Sequence, residues 1–158
     1  AVMTTPSAPP DAAPTATLDE AVEAIRLRLA GWANQLAARF AAPVYLVGSA
    51  LTTTSPRDID VRVVLDDDAF EARYGVSAAE WAREMWGTWS AGSLRWGADM
   101  AKLNSQAVKA FAWNLDVQVH PEIAAVRHAD RPRLRLDSLH QGPDFVMADE
   151  PPPGWPRR

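Results

Sequence analysis

The sequence predicts an α/β fold of the α+β kind: a small mixed β-sheet flanked by helices. Three observations predict it. Apolar residues recur at helical spacing over residues 18–40. Two later segments, 57–65 and 113–120, alternate apolar and polar residues with the period of two that a half-buried strand requires. The order helix, strand, strand, helices, strand then gives a sheet enclosed by helices. At 158 residues and 17.3 kDa the chain fits one domain. A chain of that length buries roughly 70% of its unfolded surface, enough for a real core.

Residues 1–16 (AVMTTPSAPPDAAPTA) hold few bulky apolar side chains and are expected to form a disordered tail. The domain is expected over 17–140, with an extended Pro-rich tail at 141–158. Of the 13 prolines, four fall in 6–14 and four in 151–156, so the punctuation lies at the ends. Thr17 and Glu20 are spaced as a capping box, which starts a helix. Leu18, Ala21, Ile25, Leu27, Leu29, Trp32, Leu36 and Phe40 recur at roughly helical spacing, and Pro43 stops it. Val44–Val47 reads as a short apolar strand ending at Gly48, followed by a short helix over Ala50–Thr53. Arg57–Leu65 is the clearest strand, with Ile59, Val61 and Val63 on one face and Asp58, Asp60 and Arg62 on the other. Asp66–Asp68 sit where a helix begins, as the macrodipole favours.

Ser77 and Glu80 repeat the capping-box spacing. Trp81, Met85, Trp89, Trp96, Met100 and Leu103 follow at helical steps, a stripe that reads as core. Gly87, Gly92 and Gly97 predict two helices broken near Ala91–Ser93, because each glycine costs about 1 kcal/mol relative to alanine. Trp113–His120 is the third strand, with Asp116, Gln118 and His120 on one face, and Pro121 ends it. Glu122–Arg127 suits a helical turn. Arg131–Leu136 (RPRLRL) suits a solvated edge strand, since its proline cannot donate to a ladder, in preference to a basic strip of Arg131, Arg133 and Arg135 for an RNA or DNA acceptor.

Composition excludes several functions. A formal charge of −4 and a pI of about 5.3 give no general affinity for nucleic acid. Without cysteine there is no disulfide, thiolate zinc site or thiol nucleophile. No apolar run approaches the ~20 residues of a membrane helix, and no secretory signal pattern opens the chain, so a cytoplasmic protein is expected. His120, His128 and His140 match no compact metal spacing. Nucleophile-elbow, HExxH and Walker A motifs are missing from the sequence.

What remains is a constellation of acids. Asp58 and Asp60 project from one strand face, and Asp116 alternates in the same way against Leu115, Val117 and Val119. Were the two strands neighbours, three carboxylates would converge and repel one another unless a cation or proton intervened. Hard oxygen ligands suit Mg²⁺ or Mn²⁺, and Mg²⁺ completes its shell with substrate phosphates. Gly48 lets backbone approach a phosphate closely, and Ser49 adds a hydroxyl. Arg62 shares the acidic face and either meets phosphate or pairs with a carboxylate. A lone Asp-x-Asp is weak, as Asp66-x-Asp68 shows. The joint pattern is far rarer.

The stretch VYLVGSALTTTSPRDIDVRVVL, with LDVQV around Asp116, resembles the signature of the polymerase-beta-like nucleotidyltransferase superfamily. That resemblance implies a mixed sheet flanked by helices and transfer of a nucleotidyl group from an NTP such as ATP. It makes Gly48 and Ser49 the phosphate-binding pair, Asp58 and Asp60 ligands of two metals, and Asp116 a ligand that helps deprotonate the acceptor hydroxyl. The acceptor (protein, RNA end or small molecule) stays open, as does a catalytically inactive nucleotide-binding or interaction module. A homo-oligomer or partner protein bound through the Trp-rich helices is a further expectation. Lys102 and Lys109 read as solvated helix residues, and Asn104 has no evident role.

Overall fold

The computed structural model describes residues 16–84, 91–126, 131–138 and 145–146. Helix α1 spans Leu18–Phe40, and the Thr17 hydroxyl oxygen accepts the Glu20 N–H at 3.2 Å at its start. It ends at Ala41 in the left-handed region, two residues before Pro43. Then follow β1 (Val44–Val47), a 3₁₀ turn (Gly48–Leu51) and β2 (Ile59–Leu65). Next are α2 (Asp67–Tyr74), α3 (Ala78–Glu84), α4 (Ala91–Phe111) and β3 (Leu115–Pro121). The chain continues with α5 (Glu122–Val126), β4 (Arg133–Arg135) and β5 (Phe145–Val146). Asp66 caps α2 by accepting the Ala69 N–H at 2.7 Å, the helix-start role its position predicts.

The sheet order is β3-β2-β1-β4-β5. β2 and β3 are parallel and the other pairs antiparallel, so the sheet is mixed, as expected. A parallel pair needs a long crossover, which the helices between β2 and β3 supply. Alternation then separates two faces. Val44, Leu46, Val61, Val63, Val117, Val119 and Leu134 face the main core, where Leu29, Ala33, Phe40, Phe70, Tyr74 and Trp81 meet them. The other face carries Asp60, Arg62, Asp116 and Gln118 around a small apolar cluster of Tyr45, Val64 and Ala125.

β3 is an outer strand, and its outward backbone groups would be exposed without cover. α4 covers them with side chains one turn apart. Trp96 Nε1 donates to Val119 O at 2.8 Å, and Met100 Sδ accepts the Val119 N–H at 3.2 Å. Asn104 Oδ1 accepts the Val117 N–H at 2.6 Å, while its Nδ2 donates to Val117 O at 3.0 Å. Asn104, to which the sequence assigned no role, is therefore a clamp on the β3 edge. Asn104→Ala is expected to cost about 1–3 kcal/mol, because two buried backbone groups lose their partner. Urea denaturation reads this directly, and an unchanged midpoint would remove the clamp.

Two helices stand where the glycines predict them, α3 ending at Glu84 and α4 starting at Ala91, with 85–90 outside the described residues, and α4 runs through Gly92 and Gly97. A Cβ at Gly97 would meet nothing, so the glycine serves no close approach, and packing of Met100, Leu103 and Ala107 outweighs its helix penalty. Met85 and Trp89 lie outside the described residues. Trp81 is buried against Phe70, Trp96 and His120, at centroid distances of 5.3, 5.2 and 5.1 Å, and belongs to the core.

The RPRLRL segment is not a solvated edge. β4 lies between β1 and β5, and Arg133 and Arg135 are only 5% and 4% exposed. Pro132 precedes the strand, so it withholds no ladder donor. Arg135 Nε donates to Asp137 Oδ1 at 2.6 Å, and the same oxygen accepts the Val44 N–H at 2.8 Å. This buried pair ties the β4 end to the start of β1. β5 falls within the segment expected to be a tail and extends the sheet beyond β4. Among the described residues no helix is long and apolar enough to cross a membrane.

Candidate functional site

Strand register sets the site. Asp60 lies level with Asp116 on β3 and with Val47 on β1. One step along, Arg62 lies level with Gln118 and Tyr45. Residues directly opposite each other share a face, so Asp60, Asp116, Arg62 and Gln118 converge as the alternation predicts. Asp58 behaves differently. β2 begins at Ile59, so Asp58 sits exposed at the rim, where its Oδ1 accepts a hydrogen bond from Asn114 Nδ2. The structure thus sets Asp60 beside Asp116 and holds Asp58 at the border. Among the described residues no three His, Asp or Glu side chains form a gathered metal-ligand group.

Gly48 follows β1 with φ +77°, a left-handed conformation. A Cβ there would stand 3.2 Å from Asp60 Cγ and closer still to its carboxylate oxygen. The turn backbone is therefore packed directly onto the acid. Gly48→Ala is expected to lose about 1–2 kcal/mol from the left-handed backbone alone and to push Asp60 out of place. Thermal denaturation and nucleotide titration of this variant check both parts. The expected helix over Ala50–Thr53 is instead the 3₁₀ turn Gly48–Leu51. Four residues align too few peptides for a macrodipole, so the anion-binding capacity here is the backbone at Gly48 and the exposed Ser49 hydroxyl.

Burial raises the Asp60 carboxyl above its usual range, and Asp116 and Asp58 push the same way against the pull of Arg62. The Arg62 guanidinium is half-buried, and burial lowers its pKa despite Asp116 and Asp60. Its hydrogen bond is a long one, from Nη1 to Val61 O at 3.4 Å. Gln118 Nε2 donates to Asp116 at 3.3 Å, and Gln118 Oε1 lies 2.9 Å from His120 Nε2. A carboxylate only accepts, so the amide oxygen is turned toward His120, whose Nε2 carries the hydrogen in this contact. Asp116, Gln118 and His120 form a chain of contacts along β3.

A cavity of about 360 Å³ opens on this face. Gly48 and Asp60 stand on its β1–β2 side, and Arg131 and Arg133 on its β4 side. Tyr45, Val64 and Ala125 line it with apolar surface, and Arg62, Gln118 and His120 complete the wall. The sequence did not point to Tyr45, and it offered Arg133 only as part of a basic strip with Arg131 and Arg135. The available signal was the period-two spacing of Arg133 and Arg135, which becomes informative once β4 is known to pair with β1. Lys102 lies elsewhere, in a shallow depression with Arg73 and Arg95, and Lys109 is exposed.

The described residues thus define a mixed α+β domain with a charged cavity on one sheet face. No family model, curated protein or solved structure matches the chain.

Proposed function

We propose that the protein is a small Mg²⁺-dependent nucleotidyltransferase of the polymerase-beta-like superfamily. It moves a nucleoside monophosphate from an NTP to a hydroxyl acceptor. The observation that carries this reading is the level placement of Asp60 and Asp116 on adjacent parallel strands, with Gly48 packed against Asp60. Two hard-oxygen donors that repel each other, bordered by a third at Asp58, fit a divalent cation. Asp60 and Asp116, with Asp58 at their border, would hold Mg²⁺ (or Mn²⁺), which when bound neutralises triphosphate charge and polarises phosphoryl oxygens.

The chain's own residues do the rest. Gly48 backbone, the Ser49 hydroxyl and Arg62 bind phosphate oxygens. Asp116 accepts the acceptor's hydroxyl proton. The freed oxygen pair forms the bond to the α-phosphorus, the bond to the bridging oxygen breaks, and pyrophosphate leaves with its electrons. Gln118 orients the Asp116 carboxylate through its amide.

The alternative, an inactive module working through a Trp-rich surface, is less well supported. Trp81 is 5% exposed and the Trp96 indole N–H is committed to Val119, so these two rings are engaged inside the domain. Filter binding of each labelled NTP with and without Mg²⁺ separates the cases. Mg²⁺-dependent retention of at least one NTP is the expected result. Failure to bind any NTP under either condition would remove the nucleotide reading.

A further inference from the structure

We propose that the outer face of α4 is a docking surface for an acidic amphipathic helix of a partner protein. The inner side of α4 is engaged within the domain: Trp96, Met100 and Asn104 clamp β3, and Leu103 and Ala107 enter the core. A helix that only covered β3 would be polar on its outer side. Here Leu94, Ala98, Ala101, Ser105 and Val108 are all exposed and follow one another at steps of four and three residues. That is the spacing with which one helix meets another along a seam. Leu94 and Val108 are 57% and 44% exposed, two of the three large apolar side chains left in solvent among the described residues.

Charge selects the partner. Arg95, Lys102 and Lys109 are exposed and lie seven residues apart, so they form one row beside the apolar seam, with about 10 Å between neighbours. None of the three makes an ion pair with a described residue. Arg95 and Lys102 line a shallow depression of about 420 Å³ with Arg73. Its one carboxylate, Asp99, is already engaged: it accepts the Tyr74 hydroxyl proton at 2.7 Å and an Arg73 Nη2 proton at 3.2 Å, and lies 3.8 Å from Arg39 Nη2. The Arg95 guanidinium rests on Gly75, where a Cβ would stand 2.8 Å from Nη1, so the end of α2 holds it on this wall. The row thus carries positive charge without acids to match it, in a chain of formal charge −4. Carboxylates repeated every seven residues on a facing helix complement it, as charges flanking a helix seam do. A second α4 brings the same cations and, over 94–109, Asp99 as its single acid, so like charges oppose self-pairing. A nucleic acid would neutralise the cations but leave Leu94 and Val108 uncovered, and the net charge opposes it. The seam is about 21 Å long, which makes a small contact of the transient kind.

This inference does not depend on the nucleotidyltransferase reading, because the cavity opens on the sheet face away from the core that α4 covers. The test is fluorescence anisotropy of the full chain with a labelled three-heptad peptide that carries leucine at the seam positions and glutamate on both flanks. Micromolar binding is expected, weakened at least tenfold as salt rises from about 0.05 to 0.5 M. Arg95→Glu/Lys102→Glu and Leu94→Gln should each weaken it at least tenfold. These side chains are exposed, so both variants should keep the wild-type melting temperature. Lys109→Glu, further along the row, gives a second reading if the double variant fails to fold. Replacing the peptide's glutamates by lysine, or shuffling its sequence, should abolish binding. No binding of the glutamate peptide, equal binding of the lysine or shuffled peptide, or variants that bind like the wild type would overturn the surface. An oligo(dT) or oligo(U) strand that binds more tightly than the peptide through Arg95 and Lys102 would overturn the acidic helix as its occupant. So would a dimer in sedimentation that Leu94→Gln dissociates.

Discussion

Asp60→Asn is expected to lower nucleotidyl transfer by on the order of 10³-fold, equivalent to about 4 kcal/mol of transition-state stabilisation, without lowering the melting temperature. Asp116→Asn should do the same. The two halves of this expectation have different causes. Asp60 is half-buried beside Asp116, and its charged form is disfavoured by burial and by its acidic neighbours. Removing that charge relieves repulsion in the unliganded fold. In the proposed mechanism the same change would remove a hard-oxygen donor from the cation and hence weaken the hold on the triphosphate. A purely structural acid would give the reverse pattern, with lost stability and retained chemistry. Steady-state turnover and calorimetry on the same preparations distinguish the two.

Asp137→Ala is expected to destabilise the domain by about 3–5 kcal/mol, the cost of leaving a buried charge without its partner. The side chains of Arg135 and Asp137 are 2% and 0% exposed. Asp137 also accepts the Val44 N–H at the start of β1, so its loss strands a backbone donor as well. The double change Arg135→Met/Asp137→Leu should recover part of the loss, since neither charge is then left alone. If the single and double variants melted together, the cost would lie in the Val44 bond and not in the ion pair. Because β1 carries the turn at Gly48, the single variant should also weaken nucleotide binding.

How much of this was legible in the sequence depends on the range of the interactions. Local signals read well. The Thr17 and Asp66 caps and the alternation that sets Asp60 and Asp116 on one face all follow from short spacings. Pairing order did not read well. Nothing near residues 131–136 says that Leu134 pairs with Leu46, so an Arg- and Pro-rich stretch resembled a solvated edge. The partner that neutralises Arg135 two residues on has meaning only once the strand is interior. Asn104 was equally opaque, because its partner is the backbone of Val117 on a strand edge. Asp58 was placed by alternation on the shared face, but the strand starts one residue later and Asn114 holds it at the rim.

The central claim is that the face bearing Gly48, Asp60 and Asp116 binds and turns over a nucleoside triphosphate with a divalent cation. The most direct measurement follows pyrophosphate release from each α-labelled NTP, with and without Mg²⁺, for the wild type and for Asp58→Ala/Asp60→Ala. The account predicts Mg²⁺-dependent release from at least one NTP by the wild type and its loss in the variant. A wild type that neither binds any NTP nor differs from the variant would contradict it.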